Sequence, residues 1–431
     1  MSILFKLKDK RVQEAALTIG GKLLSIVIIL AATKILTTYL NVEDYGLLAL
    51  YNISATLPSI VIFGPLGQGV LRLFSYANDK NESGLFFKNY ATLFRYASIT
   101  TGAIGVILAI AFLSFNQKNW ALFSIVAALL NILNGYNTIS YGLLNAQRKR
   151  MRALGLETTD RLFQQAFAIA LVILFQNAIW VIIGQLLSSI VFYLINRNAN
   201  KDNFSLATTT PVIEKTPYGK RILHYSWPFL AFGGIQWSQN ASERWVLDIV
   251  ESKQELALYA LLNQIGFQSL SLLFGSLSYY IWPIIFNRAG SLQNKNQFDS
   301  ANRLNNYFLL FNTAVTLVIA LLLIPLGEWI ILILSNADYT SVAPYLPLMA
   351  MAGGIFNIAQ NYANRFMLSL QTQLLIFPKV FAGLFGIATN LWAVHAMGLK
   401  GLVFAILGTQ IVYLASLMTI WKWYGKTQLS A

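Results

Sequence analysis

Long apolar runs recur along the whole chain, separated by short polar stretches. Twelve such runs lie near residues 15–39, 46–70, 90–114, 120–146, 156–175, 177–196, 223–249, 256–286, 306–333, 343–369, 374–396 and 401–423. Each approaches the roughly 20 residues that a helix needs to cross a bilayer. A helix satisfies all its backbone groups internally, so these runs predict membrane-spanning helices. The fifth is the least regular, because Glu157, Asp160, Arg161, Gln164 and Gln165 crowd its start. The first follows a basic start, but it is too long for a signal-peptide core and no small-x-small cleavage site follows. The expected fold is therefore all-α and integral to the membrane, with about twelve spanning helices.

Polar positions inside the runs fall into stripes. The fourth run carries Asn131, Asn134, Thr138, Tyr141 and Asn145 at a three-to-four spacing, which puts them on one helical face. The seventh carries Gln236, Asn240 and Glu243, with Trp237 and Arg244 beside them. The eighth carries Gln264, Gln268, Ser271 and Gly275, and the tenth Asn357, Asn361, Asn364 and Arg365 beside Gln360. Unsatisfied polar groups are expensive in lipid, so each stripe marks a helix contact or a hydrated cavity. Stripes in both halves of the chain favour a shared cavity. Amides, hydroxyls and aromatic rings suit sugar hydroxyls and ring faces.

Composition agrees with the pattern. The 431 residues are 56% hydrophobic and only 11% charged, against about 25% charged in soluble domains. The mean hydropathy is +0.57. Cysteine is absent, so disulfides and thiolate sites are excluded, and His224 and His395 are the only histidines. No cofactor is expected. No loop is long enough to fold as a catalytic domain, which argues against an enzyme.

The charges set an orientation. With both termini in the cytoplasm, 25 of the 31 Lys and Arg fall on the inner side. Lys118, Arg244, Lys253 and Lys400 fall outside, and Lys22 and Lys34 lie within the first helix. The positive-inside rule selects this topology. The net charge of +14 then reflects topology and contact with anionic membrane lipids, not nucleic acid. Embedded cations outnumber acids: Lys22, Lys34, Arg95, Arg244, Arg365 and Lys379 lie near membrane faces, and Glu243 is the best-placed acid. Each cation either snorkels to the surface or lines a net-positive cavity suited to a diphosphate.

The chain also repeats. "LALY" at 48–51 returns at 256–259, "NYATLF" at 89–94 is matched by "NYFLLF" at 306–311, and Gly184 by Gly408. The offsets rise smoothly through 208, 217 and 224, and each pair links helix n to helix n + 6. An even number of helices per half makes this a parallel repeat. Two six-helix bundles, 1–200 and 220–431, are expected around a central cavity, joined by a cytoplasmic linker at 201–219.

"YLNVEDYGLLALYNI" (39–53), "NASERWVLDIVESKQELALYALLNQI" (240–265) and "YTSVAPYLPLMAMAGGIFNIAQNYANRFML" (339–368) resemble segments of the Wzx-type O-antigen and capsule flippases. These belong to the multidrug/oligosaccharidyl-lipid/polysaccharide exporter superfamily. Glu243 stands where that family usually has Asp, and the glycine usual before the helix-eight tyrosine is missing. The resemblance implies a transporter of a polyprenyl-diphosphate-linked oligosaccharide. It would work by alternating access in a bacterial plasma membrane, beside a glycan polymerase and glycosyltransferases. From the polar stripes and the embedded cations, the expected substrate-binding residues are Lys22, Lys34, Arg95, Asn134, Tyr141, Gln236, Asn240, Arg244, Gln268, Asn357, Asn361, Arg365 and Lys379, with Glu243 for ion coupling. The alternatives are a cation-coupled multidrug exporter of the same superfamily, a peptidoglycan-precursor flippase, or a membrane-embedded polymerase or glycosyltransferase.

Overall fold

In a computed structural model, residues 10–199, 217–289, 295–369 and 371–424 are described, and every regular element among them is helical. In chain order these are α1 (Lys10–Tyr39), α2 (Val42–Asp79), α3 (Ser83–Ser114), α4 (Lys118–Ala146), α5 (Arg150–Phe175) and α6 (Ile179–Ala199). They continue with α7 (Pro217–Val250), α8 (Lys253–Ala289), α9 (Lys295–Leu334) and α10 (Ala337–Leu368). The last long helix, Ile376–Tyr424, breaks at Gly398, whose φ of 59° lies in the left-handed region. It therefore counts as α11 (376–397) and α12 (399–424). A helix stands at each of the twelve expected places, and nine helical stretches among the described residues are long and apolar enough to cross a membrane. This is a multi-pass membrane protein.

The turns are short because their residues stop helices locally. Asn81, Asn116, Arg148 and Gln176 take positive φ, ending α2 to α5 within a few residues of the next start. Asn41 caps α2 by accepting the Asp44 N–H at 2.7 Å, and Ser252 caps α8 by accepting the Glu255 N–H at 3.1 Å. Both helices carry acids in the first turn, where the helix dipole favours them.

α2 and α8 share a second feature. Each contains a wide turn, Ser59–Phe63 in α2 and Asn263–Gln268 in α8. In α2 the wide turn follows Pro58, and the Ser59 N–H bonds Thr56 O instead of Ala55 O. Asn131 of α4 supplies the Ala55 carbonyl with a donor at 2.7 Å.

Lipid gives helices no hydrophobic reason to associate, so close packing of small residues holds them together. A Cβ on Gly184 of α6 would stand 2.5 Å from the Ala168 backbone of α5, and one on Gly353 of α10 would stand 2.6 Å from Phe267 O of α8. Large apolar side chains such as Leu310, Val318, Leu321 and Ile324 on α9 point outward instead. That arrangement is stable only against lipid.

By packing, the chain falls into two units, Tyr39–Ala241 and Met1–Thr38 with Ser242–Ala431. Most of the linker expected at 201–219 lies outside the described residues. Within the first unit, the start of α7 is fixed to α2 and α3. The Gly219 N–H donates to Asn89 (3.2 Å), Ser226 to Pro65 O (2.7 Å) and Trp237 to Ile53 O (2.8 Å). Tyr218 and Ile222 join its apolar core with Val70, Phe74, Phe86 and Tyr90. Within the second unit, Lys34 of α1 donates to Leu332 O (3.0 Å) and Ser335 O. Asn336 donates to Thr37 O at 2.9 Å. The border therefore runs through helices, because α1 and the first part of α7 make their polar contacts away from their own sequence half.

Candidate functional site

Polar groups gather in two places, one in each unit. In the first unit, α4, α5 and α6 meet at Asp160. The face of α4 that carries Asn134, Asn137 and Tyr141 turns toward α5 and α6, where Asp160, Gln164, Ser188 and Ser189 stand. Asp160 is only 4% exposed. Its carboxylate accepts from Tyr141 (2.8 Å), Gln164 (3.1 Å) and Ser188 (3.2 Å). Asn134 Oδ1 accepts from Ser189 (2.8 Å) and Gln164 (3.3 Å). Asn137 extends the network, donating to Ser189 O at 3.2 Å and accepting from Asn196 at 3.0 Å. No cation lies at ion-pair distance from Asp160 among the described residues, since Arg161 pairs with Glu157 at 2.7 Å.

In the second unit, Glu243 of α7 is buried against α8. The Tyr259 hydroxyl donates to its carboxylate in a short bond, and Asn263 donates to that hydroxyl at 2.9 Å. Arg244 approaches Glu243 at 3.7 Å and lies over the Tyr259 ring at 5.7 Å. Beside them, Asn390 of α11 donates to the Ser242 hydroxyl at 3.0 Å. This group is a charge pair stacked on an aromatic, with amides around it.

The α10 amides belong to the same unit. Asn357 donates to Gly353 O (2.8 Å) and Ser271 (3.3 Å). Asn361 Oδ1 accepts from Trp282 (2.8 Å) and Ser278 (3.1 Å) of α8. Arg365 donates to Asn306 at 2.8 Å and lies 4.3 Å from the Tyr362 ring and 6.0 Å from the Trp421 ring. No carboxylate pairs with Arg365 among the described residues.

The other expected site residues are dispersed. Gln236 donates to Asn240 at 3.3 Å along α7 itself. Gln268 is half-buried in the wide turn of α8. Arg95 and Lys379 are exposed. Lys34 has become a cap for the C-terminal end of α9, where its charge meets carbonyls that lack helical partners. The Lys22 side chain lies outside the described residues.

Asp160 stands outside the polar stripes of the sequence, where it shows only as one of the charges crowding the start of the fifth run. A signal was present: Asp160 and Gln164 sit one turn apart, as Asn134 and Tyr141 sit on one face of the helix before. Tyr259 marks the head of the eighth run in the repeat and the resemblance, but its pairing with Asn263, one turn on, carries no signal in the stripes.

Comparisons with solved structures give the fold a context. The chain is similar to an inward-facing multidrug resistance MATE family transporter of the MOP superfamily, with a TM-score of 0.66, 13% identity and 94% of both chains covered. It is similar to the lipid II flippase MurJ in an inward closed conformation, with a TM-score of 0.69 and 14% identity, over 94% of this chain and 87% of that one. A third likeness is to the Vibrio cholerae MATE transporter VcmN, with a TM-score of 0.60 and 14% identity over 97% and 99% of the two chains. No protein-family model matches the chain, and no curated protein matches it. At these identities the likeness establishes the fold alone.

Proposed function

We propose that this protein flips a polyprenyl-diphosphate-linked oligosaccharide from the cytoplasmic to the outer leaflet of a bacterial plasma membrane. Both termini face the cytoplasm, and alternating access is driven by an ion gradient. The observation that carries this reading is Arg365. It is a half-buried cation held by a neutral amide and two aromatic rings, with no carboxylate paired to it among the described residues. A guanidinium so placed keeps its charge and its donor fork for an anion, and a diphosphate is the anion that a lipid-linked sugar brings. The rows of amides and aromatic rings around it suit the glycan. The test is deletion in the native host followed by analysis of surface glycan and lipid-linked intermediates. The expected result is loss of the glycan with its lipid-linked precursor retained in the inner leaflet. Unchanged glycan and no precursor build-up would reject the reading.

A second reading, a cation-coupled multidrug exporter, is favoured by Asp160. A buried acid without a cationic partner suits the binding of a proton or metal cation. The two readings separate on cargo: the exporter moves cationic drugs and leaves lipid-linked sugars where they are.

A further inference from the structure

The end of α2, the turn after it and the start of α7 bring two cations onto one ring. Lys80 Nζ lies 4.9 Å from the centre of the Tyr76 ring, and the Arg221 guanidinium lies 5.6 Å from it. The neighbouring acid of the turn, Glu82, accepts the hydroxyl of fully buried Tyr218. Neither Lys80 nor Arg221 forms an ion pair among the described residues. Two like charges held against one exposed ring repel each other, and an anion between them relieves that repulsion. The ring packs edge-on to Tyr218 at 6.5 Å. The left-handed turn at Asn81, φ 58°, fixes where Lys80 leaves α2. The arrangement is thus set by buried structure on both sides.

Its depth identifies the anion. Just beyond Arg221, α7 exposes Leu223, Trp227 and Leu230 at helical spacing, a stripe that only lipid tails would cover. Just before it lies the polar linker. Tyr76, Lys80 and Arg221 therefore sit at headgroup level, on the side that the charge asymmetry assigns to the cytoplasm. The anionic leaflet faces that side.

We propose that Lys80 and Arg221 together bind the phosphate of one anionic phospholipid headgroup, such as phosphatidylglycerol, over the Tyr76 ring. The site is independent of the cargo, so it stands whichever transport reading holds.

Native mass spectrometry of the full chain, titrated with phosphatidylglycerol or phosphatidylcholine, tests this. The wild type should retain one phosphatidylglycerol that phosphatidylcholine does not replace. K80Q/R221Q should lose about thirtyfold in that affinity, the factor for two cations at about 1 kcal/mol each. K80R/R221K should keep most of it, and R148Q/K149Q, at another inner turn, should not change it. Thermal melting of each variant separates lost binding from lost folding. Equal phosphatidylglycerol retention by K80Q/R221Q, or equal loss in R148Q/K149Q, would overturn the site. So would wild-type preference for inorganic phosphate or a polyprenyl diphosphate over phosphatidylglycerol.

Discussion

The first unit sets its buried acid, Asp160, among neutral donors, whereas the second sets Glu243 beside a guanidinium. Both carboxylates accept a tyrosine hydroxyl from the helix packed beside them. The difference is the cation. Around Glu243 the charge is offset by Arg244, so removing the cation leaves a buried carboxylate uncompensated, whereas neutralising the acid does not. Around Asp160 no cation stands at ion-pair distance among the described residues, and three neutral donors hold the carboxylate instead. Glu243 thus holds α7 to α8 beside Arg244, and under the proposed ion-driven cycle Asp160 would be the acid that responds to the ion.

The comparison predicts a ranked series. Arg244→Ala should do the most damage, because it leaves Glu243 buried without its cation. Breaking such a pair costs about 3 kcal/mol. Thermal melting of the purified protein should fall sharply and surface glycan should disappear in a complementation assay. Glu243→Gln should be far milder, retaining the Tyr259 contact and substrate binding while slowing turnover. If the two variants behave alike, the charge pair is not the unit described.

Asp160→Ala comes next. It strands the Tyr141, Gln164 and Ser188 donors, at about 1–3 kcal/mol for a buried group left unpaired. Asp160→Asn keeps the shape and removes the titration. It should melt near the wild type yet lose the dependence of transport on the ion gradient, measured as flux against imposed pH or sodium. A gradient response kept by Asp160→Asn and lost by Glu243→Gln would reverse the assignment.

Asn131→Ala and Lys34→Met should be smaller, structural effects. The first leaves the Ala55 carbonyl unserved beside the wide turn of α2, at about 1 kcal/mol. The second uncaps α9, at about 0.5–1 kcal/mol. Both should lower the melting temperature by a few degrees and leave substrate affinity unchanged. A fall in affinity for Lys34→Met without a melting shift would return that lysine to the binding residues.

The fold was legible because lipid makes span length and apolarity nearly sufficient. The repeat was partly legible. At its first pair the two copies agree in structure: each helix opens on a side-chain cap, buries its tyrosine (Tyr51, Tyr259) and then widens into a π turn. At the second pair they do not. Asn89 and Tyr90 are buried, whereas Asn306 and Tyr307 are exposed. Nor does the Gly184 and Gly408 pair, since a Cβ on Gly408 would meet nothing within 4 Å. The wide turns escaped because the phase shift of one extra residue leaves no mark in a run that is apolar on nearly every side, and only Pro58 hinted at the first. Polar stripes did not show what their residues meet: on α4, Thr138 and Asn145 are exposed, whereas Asn137, outside the stripe, is bonded to α6. Spacing cannot distinguish an amide aimed at water from one aimed at a neighbouring helix, and Asn131, Asn134, Asn357 and Asn361 all bond neighbouring helices. The packing border was invisible for the same reason: it is set by contacts such as Ser226 with Pro65, far apart in sequence.

Reconstitution into liposomes tests the central claim most directly. The purified chain would be inserted into vesicles carrying a fluorescent polyprenyl-diphosphate oligosaccharide in one leaflet, with a fluorescent drug cation assayed in parallel. An ion gradient would be imposed, and the leaflet of each label followed with an impermeant quencher. The account predicts gradient-dependent flipping of the lipid-linked sugar, lost in Arg365→Ala, and no transport of the drug. Drug transport with the sugar left in place would contradict it.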